Sequence, residues 1–206
     1  MKSSRLVPAI IIIAVAAFVI YSLQGGSNEE DYSATIQKER SEKEVFMKKD
    51  DSSPFIKDNI PFTELQYFPI DQKYRIKAKL RAIESKKVVL LSTSDGKEQN
   101  YLEYAYAEFS LDGKENQLLI LELMDTGPNR GKLFLAFADE TSGNETYGAG
   151  RYLDLKKVPA ASSVILDFNL AYNPYCAYNE SYSCPFPPRE NILKMPILAG
   201  EKNYHP

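Results

Sequence analysis

The chain has 206 residues with a formal charge of -3, and its 14 tyrosines and 10 phenylalanines are accompanied by no tryptophan. A mildly acidic chain offers no basic surface for a polyanion, so we expect no nucleic-acid partner. The 12 prolines and 10 glycines fall mostly in the second half. This composition favours strands and turns and disfavours an all-helical fold.

The first feature along the chain is an uninterrupted apolar run of 18 residues at 6–23. As a helix it would span roughly 27 Å, close to the thickness of the hydrocarbon core of a bilayer. Basic residues precede it and acidic residues follow at 29–31. The positive-inside rule therefore predicts a single-pass transmembrane anchor, with residues 1–5 in the cytoplasm and the C-terminal domain in the periplasm or at the cell surface. A cleaved signal peptide is the alternative, but the run is long for one and no clean cleavage site follows.

A short tether, 24–30, leads into a domain that we expect to cover 31–206. Its first part, 31–49, is rich in charges with helical spacing, such as Glu39 with Lys43 and Glu44 with Lys48. Apolar residues are sparse and irregular there. We therefore predict a charged helix on the surface of the domain.

The remainder of the domain shows the alternation and turn residues that are typical of β-strands. Asp95-Gly96 and Asp112-Gly113 each predict a tight hairpin turn. The four residues 118–121 are all apolar, which predicts a strand covered on both faces. The predicted fold is mainly β, an antiparallel meander that forms a barrel or a sandwich, with strands at 74–82, 87–93, 101–111, 116–124, 133–139, 151–155 and 163–169.

The stretch 137–191 is unusually rich in polar and turn residues. It has more polar side chains at turn positions than a loop needs for solubility alone. Asp139 ends a strand in phase with apolar residues, and Asp167 and Asn169 share one strand face. We predict that this stretch forms a polar site for a small ligand. The candidate ligand-binding residues are Asp139, Glu145, Tyr147, Arg151, Asp167, Asn169 and Asn173.

Two other interpretations of the same residues remain open. Asp139, Glu145 and Asp167 with Arg151 could act as acid and base in a histidine-independent enzyme, if burial separated their pKa values. They could instead form an Arg–carboxylate network that only fixes the loops of a structural or interaction module.

The sequence lacks residues that several common catalytic, metal and phosphate-binding sites require. The one histidine is His205, so a catalytic triad, a Cys-His dyad and a multi-histidine zinc site are excluded. The glycines at 148 and 150 lack the lysine and helix of a phosphate-binding loop, and the nearby carboxylates lack calcium-loop spacing. The sequence therefore predicts no cofactor and no metal.

Cys176 and Cys184 are the two cysteines of the chain. In an exported protein, such a closely spaced pair most simply forms a disulfide that closes a small loop. A reactive thiol is one alternative. A metal site is another, although it would need at least two further ligands that the sequence does not indicate.

The polar stretch also resembles a bacterial and archaeal family, domain of unknown function 1684. The resemblance covers about residue 30 to Glu201, with Tyr175 standing where the family pattern often has proline. It implies a shared fold and site and supplies no activity. The segments that carry it are FAD at 137–139, ETYG at 145–148, GRYL at 150–153, LDFN at 166–169, AYNP at 171–174, CAY at 176–178, CP at 184–185, and Pro188 with Glu190-Asn191.

Overall fold

A computed structural model describes residues 29–124 and 129–204 of the chain. The chain divides into two compact units, residues 1–39 and 40–206. The described part of the first unit, 29–39, is helical. This helix, α1, spans 29–49 and confirms the predicted helix. A second short helix, α2, covers Pro54–Lys57 and is capped by the Ser53 hydroxyl, which accepts a hydrogen bond from the Phe55 N–H.

The second unit is built on one seven-stranded, mainly antiparallel sheet. The strand order is β6-β5-β4-β3-β1-β7, and β2 pairs with β3 beside β1. The sheet curls into a half-barrel, so the alternative of a sandwich of two sheets is wrong. The strands are β1 (Arg75–Ala82), β2 (Val88–Ser92), β3 (Glu98–Leu111), β4 (Lys114–Leu123), β5 (Leu133–Phe137), β6 (Arg151–Leu155) and β7 (Ser163–Asp167).

The longest strand, β3, organises the sheet. It pairs with β4 from Tyr101 to Leu111, while its other edge pairs first with β2 and then with β1. The register shifts between Glu103 and Ala105, which marks a β-bulge where the partner changes. Bulges bend and twist a strand, so this position contributes to the curl of the sheet.

The prediction that 118–121 is covered on both faces is confirmed, since all four residues are buried. Leu118 and Ile120 belong to the main core, whereas Leu119 and Leu121 join a second cluster with Leu91. Strand β4 therefore separates two apolar clusters, as alternation along a strand requires.

Strands β4 and β5 pair directly only at 121–122 with 133–134. Beyond these residues the two strands separate, and Asn191 joins them through its side chain. Its side chain is fully buried, and its amide donates to the carbonyls of Leu119 at 2.9 Å and Ala136 at 2.8 Å. Its oxygen accepts from the Leu119 N–H at 2.6 Å. One side chain thus supplies the hydrogen bonds that a continuous ladder would otherwise provide.

The last part of the described chain completes the main core. Every second residue is buried, namely Leu193, Met195, Ile197 and Ala199, and all four belong to the same cluster as Leu118 and Ile120. We call residues 193–201 the C-terminal segment. It lies outside the seven strands, so most of its backbone polar groups need partners other than a sheet.

Within the described ranges, no helix has the length and apolar character needed to cross a membrane. The predicted anchor, residues 6–23, lies outside the described residues, as do residues 1–5, the tether as far as residue 28, and His205.

Candidate functional site

Arg151 and Asp139 form an ion pair in the interior of the protein. Asp139 follows β5 and Arg151 begins β6, and the pairing of these strands places Arg151 opposite Phe137. Arg151 Nη2 donates to Asp139 Oδ2 at 2.9 Å, and both side chains are 0% exposed. Burial lowers the pKa of Arg151, and the charge of Asp139 acts in the opposite direction. The pair is well formed but closed to solvent.

Most of the other hydrogen bonds of this pair hold the C-terminal segment, while Thr141 donates to Asp139 through its N–H and its hydroxyl. Arg151 donates to the carbonyls of Ile197 at 3.0 Å and Glu201 at 3.2 Å, and also to that of Ala199. Asp139 accepts from the N–H of Ile197 at 3.2 Å. The ion pair therefore satisfies the backbone of a segment outside the sheet. This is the arrangement expected of the Arg–carboxylate network.

Asp167 and Asn169 lie at the end of β7, where they hold the residues that precede β1. Asn169 is fully buried, donates to the Asp71 carbonyl at 2.8 Å and accepts from the Asp71 N–H at 3.0 Å. Asp167 accepts from the Asn169 N–H at 3.2 Å and lies 3.8 Å from the Arg75 guanidinium. These contacts also connect segments of the fold.

The other three candidates lie in different surroundings. The Glu145 side chain is exposed, and its backbone carbonyl accepts from the Asn203 N–H at 2.8 Å. Tyr147 is half-buried beside Cys176, and Asn173 is fully buried beside Glu201. The structure thus pairs Arg151 with Asp139 but distributes the seven candidate residues among several separate groups of contacts. Their ligand-binding role stays a prediction.

Glu201, which the sequence reasoning missed, is a buried carboxylate with several donors. It is 1% exposed, and its Oε2 atom accepts from Lys43 Nζ at 2.6 Å. Asn173 donates through its backbone N–H at 3.2 Å and through its side-chain amide at 3.0 Å. The Tyr178 hydroxyl donates to Oε1. Burial and the charge of Glu201 raise the pKa of Tyr178, so this phenol stays protonated and able to donate.

Tyr67 lies directly across from Glu201 in an isolated antiparallel bridge. The flanking hydrogen bonds join Phe68 N–H to the Gly200 carbonyl at 2.9 Å and Lys202 N–H to the Gln66 carbonyl at 2.8 Å. Residues opposite each other in this way point their side chains to the same face and approach closely. Burial, followed by the charge of Glu201, raises the pKa of Tyr67.

Two buried atoms beside this carboxylate, Tyr67 Oη and Asn173 Oδ1, have no hydrogen-bond partner within the described part of the chain. Such atoms are uncommon in folded proteins and indicate a missing partner. We call Lys43, Tyr67, Asn173, Tyr178 and Glu201 the Glu201 cluster. A sequence signal for it existed, since Glu201 continues the period-two row of buried residues from Leu193 to Ala199.

The two cysteines are buried free thiols that lie side by side. The backbone N–H of Cys176 donates to Cys184 Sγ at 3.2 Å, and the Tyr147 hydroxyl donates to Cys176 Sγ at 3.7 Å. The predicted disulfide stays a prediction. Among the residues that the structure describes, there is no group of three or more histidine, cysteine, aspartate or glutamate side chains that could hold a metal ion.

Comparison with known proteins identifies relatives that are themselves uncharacterised. The family described as "Protein of unknown function (DUF1684)" matches residues 61–202. The solution NMR structure of an uncharacterised protein from gene locus rrnAC0354 of Haloarcula marismortui is similar, with 36% sequence identity and a TM-score of 0.63. The similarity covers 85% of this chain and 96% of that one. No curated protein matches the chain. The family match and this similarity together show that the chain belongs to the family described as Protein of unknown function (DUF1684).

Proposed function

We propose that the protein is a small-molecule-binding domain, exported and tethered to the membrane by residues 6–23, and that its ligand binds at the Glu201 cluster. The observation that carries this proposal is the pair of buried, unpartnered polar atoms, Tyr67 Oη and Asn173 Oδ1, next to the Glu201 carboxylate. Each such atom costs about 1–3 kcal/mol when unsatisfied, so a ligand that pairs with both gains affinity.

The chemistry of the cluster indicates the class of ligand. Tyr67 offers an O–H donor and Asn173 offers a carbonyl acceptor, so the ligand must both accept and donate hydrogen bonds. The charge of Glu201 is already balanced by Lys43, so the ligand need not be charged. A small neutral molecule with hydroxyl groups fits these requirements.

The surroundings of the cluster fit the same class of ligand. Lys43 lies 4.6 Å from the ring centroid of Tyr172, and Tyr178 packs at 5.4 Å from Phe55. The Lys43 side chain is 22% exposed, whereas that of Glu201 is 1% exposed. A ligand would therefore enter on the Lys43 side and meet aromatic surfaces, which suit the apolar faces of a polyol or sugar ring.

Asp139 and Arg151 are better explained as structural residues than as an acid/base pair. Their side chains are wholly buried, and their hydrogen bonds join them to each other, to the backbone and to the Thr141 hydroxyl. A catalytic pair must reach its substrate. This observation supports binding over histidine-independent catalysis.

The test uses D-glucose and glycerol as probes and the purified full-length chain in mild detergent. We expect both probes to raise the melting temperature, because they bind the folded protein. Tyr67→Phe removes a hydroxyl that has no protein partner, so the free variant should be as stable as the wild type or slightly more stable. The loss of one hydrogen bond to the ligand should weaken binding about 5–10-fold.

Tyr178→Phe is the matched control. It removes a hydroxyl that donates to Glu201, so it should lower the stability of the free protein by about 1.5–3 kcal/mol. If Tyr67→Phe destabilised the free protein to the same extent, the Tyr67 hydroxyl would have a structural partner and the proposal would fail. It would also fail if neither probe bound.

A further inference from the structure

Cys176 and Cys184 are fixed in place by contacts on both sides of their loop. Cys176 lies in the short 3₁₀ turn Tyr175–Ala177. The Cys184 carbonyl accepts from the Ser94 N–H at 2.9 Å, and the Cys184 N–H donates to the Ser94 hydroxyl at 3.1 Å. The next residue, Pro185, pairs with Thr93 beyond β2. The second thiol is thereby anchored to the β2–β3 hairpin.

The two sulfur atoms have different partners. Cys176 Sγ accepts from the Tyr147 hydroxyl at 3.7 Å, and Cys184 Sγ accepts from the Cys176 N–H at 3.2 Å. Burial and the hydrogen bond to Cys176 raise the pKa of Tyr147, so its phenol stays protonated as a donor. Tyr152 is a further titratable group near both thiols, and burial, followed by the charges of the thiols, raises its pKa. Donors directed at one sulfur favour its thiolate form.

The pKa values of the two thiols shift in opposite directions. Hydrogen bonds from Cys184, Tyr147 and Ser94 lower the pKa of Cys176 to about 6, against the opposing effect of burial. The neighbouring Cys176 raises the pKa of Cys184. These opposite shifts favour Cys176 over Cys184 as the site of the thiolate. A thiolate is the attacking form in thiol–disulfide exchange.

We propose that Cys176 and Cys184 form a reversible dithiol–disulfide pair that reacts with small-molecule disulfides, with Cys176 attacking and Cys184 resolving. In the first step the Cys176 thiolate attacks one sulfur of the small disulfide, forms a mixed disulfide and releases one thiolate. In the second step Cys184 loses its proton to that thiolate and attacks Cys176 Sγ. The protein disulfide forms, and the second small thiolate leaves. The protein gains one disulfide, and the small disulfide is reduced to one thiol and one thiolate.

This activity differs from that of a purely structural disulfide, which resists reduction by small thiols. It is also independent of ligand binding at the Glu201 cluster. The fold accommodates the reduced pair, because both sulfur atoms accept hydrogen bonds.

The experiment equilibrates the purified full-length chain with mixtures of reduced and oxidised glutathione, followed by acid quenching and mass spectrometry. The wild type should shift between dithiol and disulfide as the ratio changes. Cys184→Ser should accumulate one glutathione adduct on Cys176, because the resolving thiol is absent. Cys176→Ser should form an adduct on Cys184 at least about tenfold more slowly, because that thiol is protonated.

The pH dependence of alkylation supplies a second measurement. In the reduced wild type, the rate of Cys176 alkylation by iodoacetamide should rise with a midpoint near pH 6, since its pKa is lowered to about 6. Tyr147→Phe should move this midpoint to higher pH, because one donor to the sulfur is lost. Tyr104→Phe, whose ring contacts the ammonium groups of Lys86 and Lys157, serves as a control and should leave the midpoint unchanged.

Three results would overturn the proposal. A pair that remained oxidised in every reducing mixture would be a structural disulfide. Faster modification of Cys184 than of Cys176 would reverse the assigned roles. Failure of both cysteines to react in the folded protein would show that small disulfides do not reach the pair.

Discussion

Arg151 is a buried cation that donates hydrogen bonds to the backbone of a segment without strand partners. Its donors reach carbonyls at positions 197, 199 and 201, which are alternate residues on one side of the C-terminal segment. Asp139 balances its charge at 2.9 Å and also accepts from the N–H of Ile197. The pair therefore takes the role that an adjacent strand would play for this part of the chain.

Removal of this cation should be costly, because it leaves a buried carboxylate without its counter-charge and removes a donor from several carbonyls. We expect Arg151→Ala to lower the free energy of unfolding by about 3–5 kcal/mol in denaturant titrations. The matched control is Arg75→Ala, since the Arg75 side chain is 51% exposed and lies 3.8 Å from Asp167. That change should cost about 0–1 kcal/mol. Similar losses in both variants would contradict the structural role of the buried pair.

The C-terminal segment is the element that connects the core to the Glu201 cluster. Its alternate residues 193–199 fill the main core, and Glu201 follows at the same spacing. Gly200 makes this path possible, because its φ of +78° lies in the left-handed region. A Cβ atom there would lie 2.6 Å from the carbonyl oxygens of both Ala171 and Phe168. A side chain at this position would therefore displace the backbone next to Glu201.

Gly200→Ala tests this element. The substitution combines an unfavourable φ with clashes against backbone atoms, so we expect a loss of stability above about 3 kcal/mol. Gly113→Ala is the control, because Gly113 has a φ of +74° with no atom within 4 Å of the added Cβ. It should lose only about 1–2 kcal/mol, the cost of the backbone conformation alone. Thermal or denaturant unfolding measures both values, and equal losses would disprove the role assigned to the tight contacts.

At the scale of the whole molecule, the proposed anchor and export determine the compartment in which the domain would meet its ligand and the small disulfides. By the positive-inside rule, the basic residues before 6–23 and the acidic residues after it predict that the C-terminal domain lies outside the cytoplasm. Small oxidised thiols persist in such compartments, whereas the cytosol keeps thiols reduced. The proposed thiol exchange and the proposed location are therefore chemically consistent.

Protease accessibility tests this location. In spheroplasts that produce the full chain with a C-terminal tag, added protease should remove the tag and digest the chain beyond about residue 25. A cytoplasmic marker protein in the same sample should remain intact. Protection of the tag until the spheroplasts are lysed would refute export of the domain.

The sequence by itself determined the local structure. Alternation, short apolar runs and turn residues located all seven strands, and the Asp-Gly pairs located both hairpin turns, because these features depend on neighbours within a few residues. The apolar positions 118–121 also identified the strand that is covered on both faces. The pairing of Arg151 with Asp139 was predictable, since adjacent strands carry the two residues.

The tertiary structure decided the partners that are distant in the chain. Alternation shows which residues share a face but not what covers that face, so barrel and sandwich were equally consistent with the sequence. Glu201 meets Lys43 across 158 positions, and Asn191 meets Leu119 across 72. The period-two row from Leu193 to Glu201 was visible in the sequence, but the sequence did not show that the Glu201 carboxylate is buried. Only packing in three dimensions buries a carboxylate at the end of that row, because its stabilising donors come from segments that folding brings together.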